Sequence, residues 1–340
     1  MALTLQGFIK PASGEDYCVD LRLNFGLLAA GFSHSNTIHI FNASGLNTLQ
    51  VLHANTTQTL SEISLIDENT ITWCDRAGAI GIIDIRNSTE VHKIQTRDEW
   101  FCIDSSGYNL ASGSNQGMKV WDIRNFQLKK HYQDIHADKS DVSSIKLSPY
   151  YSNIMVTCSD DSLMSIINIE AEEDDDYTLL NLEEPGLKVG FVDNNVYCVT
   201  MSRYVEYNPH ADNNEIPPEV VQKLPISDFQ MDNPNPNFFI GPAGFGPDKS
   251  ILIGSHEGGL WASSIRNPKI CYPGVGHTQA VRAAATLYDG TIVTGSEDSS
   301  IISWRIDRNA TVAEAEVESK SSSSTNDKRP SREERYYRPY

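Results

Sequence analysis

Along most of the chain, apolar residues come in short runs of four to seven broken by Ser, Asp, Asn and Gly. Within many runs they alternate with polar residues, the period of a strand with one buried face, and they do not recur at the three- and four-residue steps of a helix. Stretches such as LTLQGFIK at 3–10, TIVTG at 291–295 and SSIISWRID at 299–307 therefore predict short strands joined by tight turns. No long amphipathic helix is predicted.

The strands recur as a unit. In TGSEDSSIISWRID at 294–307, Thr294 and Asp298 stand ten and six positions before Trp304, and Gly276-His277 lies upstream. Thr157 and Asp161 stand ten and six before Ile167, with His136 upstream. YNLASGSNQGMKVWDIR at 108–124, ITWCDRAGAIGIIDIR at 71–86 and LLAAGFSHSNTIHIF at 27–41 repeat the same shape with fewer of the polar residues. Anchoring each copy on the residue equivalent to Trp304 gives Phe41, Ile83, Trp121, Ile167, Tyr207, Ser264 and Trp304, with gaps of 42, 38, 46, 40, 57 and 40. A repeat near 40–45 residues with four short strands per unit predicts an all-β propeller.

Seven anchors predict seven blades within residues 1–308. The last copy holds only three strands, so the alternating segment at 3–10 is expected to supply the fourth and close the ring, removing open sheet edges. Residues 205–250 carry eight of the 15 prolines and the longest gap, which predicts long connections between blades five and six.

Gly276-His277 and Trp121-Asp122 are the two dipeptides of the WD40 repeat, and the pattern spans nearly all of residues 15–308. More narrowly, His136 followed by DVSSIKLSPYYSNIMVTCSDDS and an acidic EAEEDDDY, VYCVTM at 196–201, and GHTQAVRAAATLYDGTIVTGSEDSSIISW resemble the WD repeat-containing protein 89 family. The resemblance implies a buried chain in which Asp298 orients His277, His277 meets Thr294, and Thr294 meets Trp304. It implies a partial copy in His136, Thr157 and Asp161. Such a chain is tolerable in a core only when every member is paired. A catalytic triad of His277, Asp298 and Thr294 fits this spacing poorly, and the resemblance implies no catalytic activity, so no enzyme is expected.

Composition narrows the function. The chain has 340 residues, a net charge of −18 and a pI near 4.8, which argues against direct nucleic-acid binding and favours attraction of a basic partner. Residues 309–340 hold a serine run with six acidic and six basic residues and predict a disordered tail, so the excess charge lies in the propeller. Within the tail, Lys328, Arg329, Arg332 and Arg335 are a candidate nuclear import signal. A nuclear or cytoplasmic location and a monomer are expected. The start of the chain lacks the basic and apolar regions of a secretory leader, and no run is long enough to span a membrane. Six scattered cysteines form no CxxC pair and predict buried thiols, with no metal or cofactor. GPAGFG at 241–246 lacks the Lys-Ser/Thr of a phosphate-binding loop, and GSHEGG at 254–259 reads as a turn.

The expected function is therefore a non-enzymatic protein-interaction scaffold, and two features are candidates for the partner site. Glu170, Glu172, Glu173, Asp174, Asp175 and Asp176 place six carboxylates within seven residues, a site for a basic client. The alternative is the pair Ile83-Asp84-Ile85-Arg86 and Trp121-Asp122-Ile123-Arg124 in consecutive repeats. These are similar to the WDxR boxes of substrate receptors that dock on the DDB-type adaptor of cullin-RING ubiquitin ligases. Asp84, Arg86, Asp122 and Arg124 are then the candidate docking residues.

Overall fold

The computed structural model describes residues 2–10, 16–172, 176–209, 218–229, 236–244 and 249–307. Apart from a 3-10 turn at Ile226–Asp228, its regular elements are 28 strands in seven antiparallel four-stranded sheets. The first blade holds β2 (Cys18–Asn24), β3 (Leu27–Phe32), β4 (Thr37–Asn42) and β5 (Thr48–His53). The second holds β6 (Leu60–Asp67), β7 (Thr70–Asp75), β8 (Ala79–Asp84) and β9 (Thr89–Gln95). The third holds β10 (Trp100–Ser106), β11 (Asn109–Ser114), β12 (Gly117–Asp122) and β13 (Gln127–Tyr132). The fourth holds β14 (Val142–Leu147), β15 (Ile154–Ser159), β16 (Leu163–Asn168) and β17 (Tyr177–Asn181).

Blade five contains β18 (Gly186–Val192), β19 (Asn195–Thr200), β20 (Arg203–Asn208) and β21 (Glu219–Pro225). Blade six contains β22 (Phe238–Ala243), β23 (Ser250–Gly254), β24 (Leu260–Ser264) and β25 (Asn267–Gly274). Blade seven joins β26 (Val281–Thr286), β27 (Ile292–Ser296) and β28 (Ile301–Asp307) to the N-terminal strand β1 (Ala2–Ile9), which pairs antiparallel with β28 from Ala2↔Asp307 to Ile9↔Ile301. The predicted closure is therefore the one observed. The division at residue 308 and the predicted tail at 309–340, with its import cluster, lie outside the described residues.

The core is seven cores, one in each seam between neighbouring blades. Blades one and two, for example, share Ile38, Ile40, Leu52, Leu60, Ile63, Ile71 and Trp73, all at most 2% exposed. Because each apolar sheet face is buried only against its neighbour, no blade is stable alone and the ring must close. Five of the six cysteines are buried and all six are free thiols.

The first strand of each blade lines the ring's centre. In six of the seven, a bulge falls at one repeated place, before Asp20, Glu62, Cys102, Ser144, Lys188 and Ala283. A bulge bends the strand and re-aims the following side chain. In β22 it moves to Phe239/Gly241, and there β22 packs against β19 and β20 of blade five. This is the irregular junction that the prolines predicted. One anchor needs correction. In the other blades the anchor faces an apolar core residue near the start of the second strand, as Trp304 faces Ile292. In blade six Ser263, not Ser264, faces that residue, Ile251.

Candidate functional site

The expected polar chain is present in blade seven with one added member. His277 Nε2 lies 2.7 Å from Thr294 Oγ1, which also accepts the Trp304 Nε1–H at 2.7 Å. His277 Nδ1 meets Ser300 Oγ at 2.8 Å, and that hydroxyl donates to Asp298, whose carboxylate is itself 3.7 Å from Nδ1. The carboxylate thus reaches the imidazole through Ser300, which the repeat pattern did not reveal. Burial raises the Asp298 carboxyl, but the nearby His277 imidazole and hydrogen bonds from Ser300 and the Thr278 N–H outweigh it and hold the group well below the usual carboxylate range.

In blade four, His136 Nδ1 meets Asp161 directly at 3.1 Å, and Nε2 meets Thr157 Oγ1 at 2.8 Å. Ile167 offers no donor, and the chain ends instead on Ser165 Oγ, 2.5 Å from Thr157. Burial lowers the His136 pKa, with Asp161 acting against it. With the hydroxyls enclosed and every partner assigned, both networks hold strands together.

Blade two solves the same packing problem without the polar chain. Trp73 occupies the place of Thr294, on the second strand, and faces Gly81 across the sheet. A Cβ on Gly81 would lie 2.2 Å from the indole. The large ring has moved from the third strand to the second, and a glycine makes room for it. In blade three Trp100 and Trp121 meet edge-on at 5.6 Å.

A feature absent from the sequence reading lies at the ring's centre. Arg22 Nε donates to Asp20 at 2.7 Å and its NH2 donates to Glu62, while Lys146 Nζ reaches the same Glu62 oxygen at 2.8 Å. The carboxylates also accept backbone N–H groups of the next blade: Ile63 to Asp20 at 3.3 Å, Ile103 to Glu62 at 2.7 Å and Leu147 to Asp104 at 2.9 Å. Burial opposes the charge on Arg22, but Asp20, Glu62 and Asp104 hold the guanidinium above its ordinary range. Opposite them, burial lowers Lys188 to about 8, and its ammonium donates to the Arg282 carbonyl. Carboxylates do converge at the centre, as an enzyme would require, yet these three are engaged by cations and by backbone of the neighbouring blade. A signal was available: Asp20, Glu62, Asp104, Lys146 and Lys188 are spaced 42 apart, within the repeat period.

The antiparallel order places the turns after each first and third strand on one face. Both sets of candidate partner residues lie there. The acidic run occupies the connection from β16 to β17, where Glu173, Asp174 and Asp175 are outside the described residues. Glu170 pairs with Lys129 at 3.0 Å, Asp176 accepts from Asn168 at 2.8 Å, and Glu172 is exposed. The run is thus partly neutralised by its neighbour blade. Arg86 and Arg124 are exposed, each forked onto its own aspartate: Arg86 NH2 is 2.6 Å from Asp84, and Arg124 donates from Nε to Asp122 at 2.9 Å. The Arg124 hydrogen bonds lower Asp122 to about 2. Arg124 also lies 4.6 Å over the Tyr108 ring.

Four inner turns of this face carry exposed aromatics that the strand patterns did not single out. They are Phe25 (48% exposed), Tyr108 (62%), Tyr150 (51%) and Tyr288 (70%), in blades one, three, four and seven. Among them opens a cavity of about 370 Å³ over the charged centre, lined by Arg22, Ser64, Asp104, Lys146, Phe191 and Tyr197, among others. Tyr197 reaches this wall from the second strand because Gly190 in front of it has no side chain.

A family model, the WD domain, G-beta repeat, matches residues 270–305, the segment that holds the complete polar chain. The WD repeat-containing protein 89 homolog of Dictyostelium discoideum is 27% identical over 183 residues, covering 52% of this chain and 50% of that protein. The match thus spans about half the length of that relative. WD repeat-containing protein GTS1 of Arabidopsis thaliana is 24% identical over 342 residues, covering 90% of this chain and 86% of that protein. The chain thus carries a WD40 repeat in its last blade and folds as a seven-bladed β-propeller. Within that class it resembles the WD repeat-containing protein 89 family. WD40 propellers generally act as platforms for other proteins. No helix among the described residues is long and apolar enough to cross a membrane.

Proposed function

We propose that the chain is a non-enzymatic scaffold that binds a basic client protein through its acidic surface. The observation that carries this reading is the charge of −18 on a chain whose central Arg22 and Lys146 are already paired with carboxylates. Each internal pair removes one charge of each sign, so the excess falls on outward carboxylates and attracts cationic partners. The test is affinity purification of the tagged chain at low salt, beside a variant with the six carboxylates of 170–176 changed to Gln and Asn. Recovery of a basic protein that salt releases supports the reading, and the variant shows whether the acidic run carries the contact. Partners that are neutral or acidic and insensitive to salt refute it.

A second reading rests on Arg86 and Arg124, both exposed on the same face in consecutive blades. Such a pair can dock on an adaptor of a cullin-RING ligase by exchanging intramolecular for intermolecular forks. Arg86→Ala with Arg124→Ala would then abolish adaptor co-purification with the fold intact. Unchanged co-purification excludes it.

A further inference from the structure

We infer that a lysine or arginine side chain of the client docks between blades one and two, in the cleft formed by Phe25, Asp67 and Glu68. This rests on the basic-client reading and assigns its contact to a place other than the acidic run. Phe25, the β6–β7 turn at 67–70 and Arg86 line one cleft on the face of the inner turns. Phe25 is about half exposed within that lining.

Asp67 and Glu68 line the same cleft and are both exposed. Their hydrogen bonds go to Asn69, whose backbone N–H donates to Asp67 at 2.7 Å and whose amide lies 3.4 Å from Glu68. Among the described residues no cation forms an ion pair with either. Arg86, the one cation in the lining, is forked onto Asp84 by bonds of 3.0 and 2.6 Å. The cleft therefore gathers an aromatic residue and two carboxylates that form no ion pair, Asp67 acting on Arg86 only across space. A cation entering over the ring and beside the carboxylates is attracted by the ring quadrupole and the carboxylates together.

The surroundings fit a protein partner. Tyr108, Tyr150 and Tyr288 present further aromatics around the same face, and Tyr and Arg dominate binding energy at protein interfaces. Phe25 sits at φ +52, ahead of Gly26 at φ +75, so the turn holds an aromatic residue in a conformation that costs about 1 kcal/mol or more. Its exposure leaves that cost without the usual return from burial.

The experiment uses the full chain and fluorescein-labelled decalysine carrying one photoreactive benzophenone, with decaglutamate as control. Binding is read by anisotropy, and cross-links are mapped by mass spectrometry. The expected result is cross-linking at 25 and 67–70, with affinity about five-fold weaker in D67N/E68Q and about three-fold weaker in Phe25→Asn. Asn keeps the left-handed turn while removing the ring. E170Q/E172Q should change affinity less than two-fold. All three sites are exposed, so matched thermal midpoints identify folded variants. Cross-links confined to 170–177, with D67N/E68Q unchanged, would overturn the cleft while sparing the basic-client reading. Failure of decalysine to bind at low salt would overturn both.

Discussion

Glu62 accepts the backbone N–H of Ile103 at 2.7 Å, so a side chain of blade two completes the hydrogen bonding of blade three. The same carboxylate receives Arg22 of blade one and Lys146 of blade four. One residue thus joins four consecutive blades.

Replacing Glu62 with Gln keeps an acceptor for Ile103 but leaves Arg22 and Lys146 short of their counter-charge in a mostly buried place. Breaking a buried pair by removing one partner costs about 3–5 kcal/mol. A clear fall in the midpoint of denaturant unfolding is expected. Glu170→Gln, which removes the exposed pair with Lys129, should cost no more than about 0.5 kcal/mol. Equal effects would show that the central network does not join the blades.

Thr294→Val preserves shape and removes a hydroxyl shared by His277 and Trp304. Both ring nitrogens lose their partner at fully buried side chains, a loss of about 2–4 kcal/mol. Thr157→Val orphans His136 Nε2 and strands Ser165 in the same way. Similar losses in thermal or chemical melts are expected, because each hydroxyl has two partners. A negligible effect at Thr294 would mean that water replaces it.

The two repeats differ in how readable they were. His277, Thr294, Asp298 and Trp304 were legible because the repeat fixes which strand positions face one another. Ser300 and Ser165 were not, since a serine in a turn or strand is too common to stand out. Trp73 escaped because it fills the cavity from an unexpected strand. The charged centre escaped because no single repeat contains it: each blade contributes one or two residues, and only the ring brings them together. The inner-turn aromatics had no strand pattern to mark them. The seven-blade order was legible throughout, and the blade-six anchor erred by one residue.

Acid should weaken the fold through His136. Its folded pKa lies below the ordinary 6.5, chiefly because it is buried. The unfolded chain therefore binds the proton more readily, and stability falls as pH drops below about 6.5. Asp298, also depressed, adds its loss only below about 3.8. Unfolding midpoints between pH 7.5 and 5.5 should decline, and His136→Gln should flatten that decline. His39, whose pKa burial also lowers, leaves a residual slope. An identical slope in the variant would remove His136 from the explanation.

Gly81→Ala should destabilise the chain by about 1–3 kcal/mol, the usual range for overpacking, because the new methyl meets the Trp73 ring. Combining it with Trp73→Leu should recover part of that loss when the two are compared in a double-mutant cycle. Gly107→Ala has open space around it and tests only the cost of its φ of +57. Additive effects at 73 and 81 would show that the two do not touch.

The pairing of β1 with β28 also sets an order of events during synthesis. The strand translated first must wait for one translated roughly three hundred residues later. At about 5–20 residues per second, that delay is about 15–60 s. Through that interval Leu3 and Leu5, destined for the seam beside Trp304, have no partner. The nascent chain carries this apolar segment unpaired until the ring closes, and any stall on the ribosome would prolong that exposure.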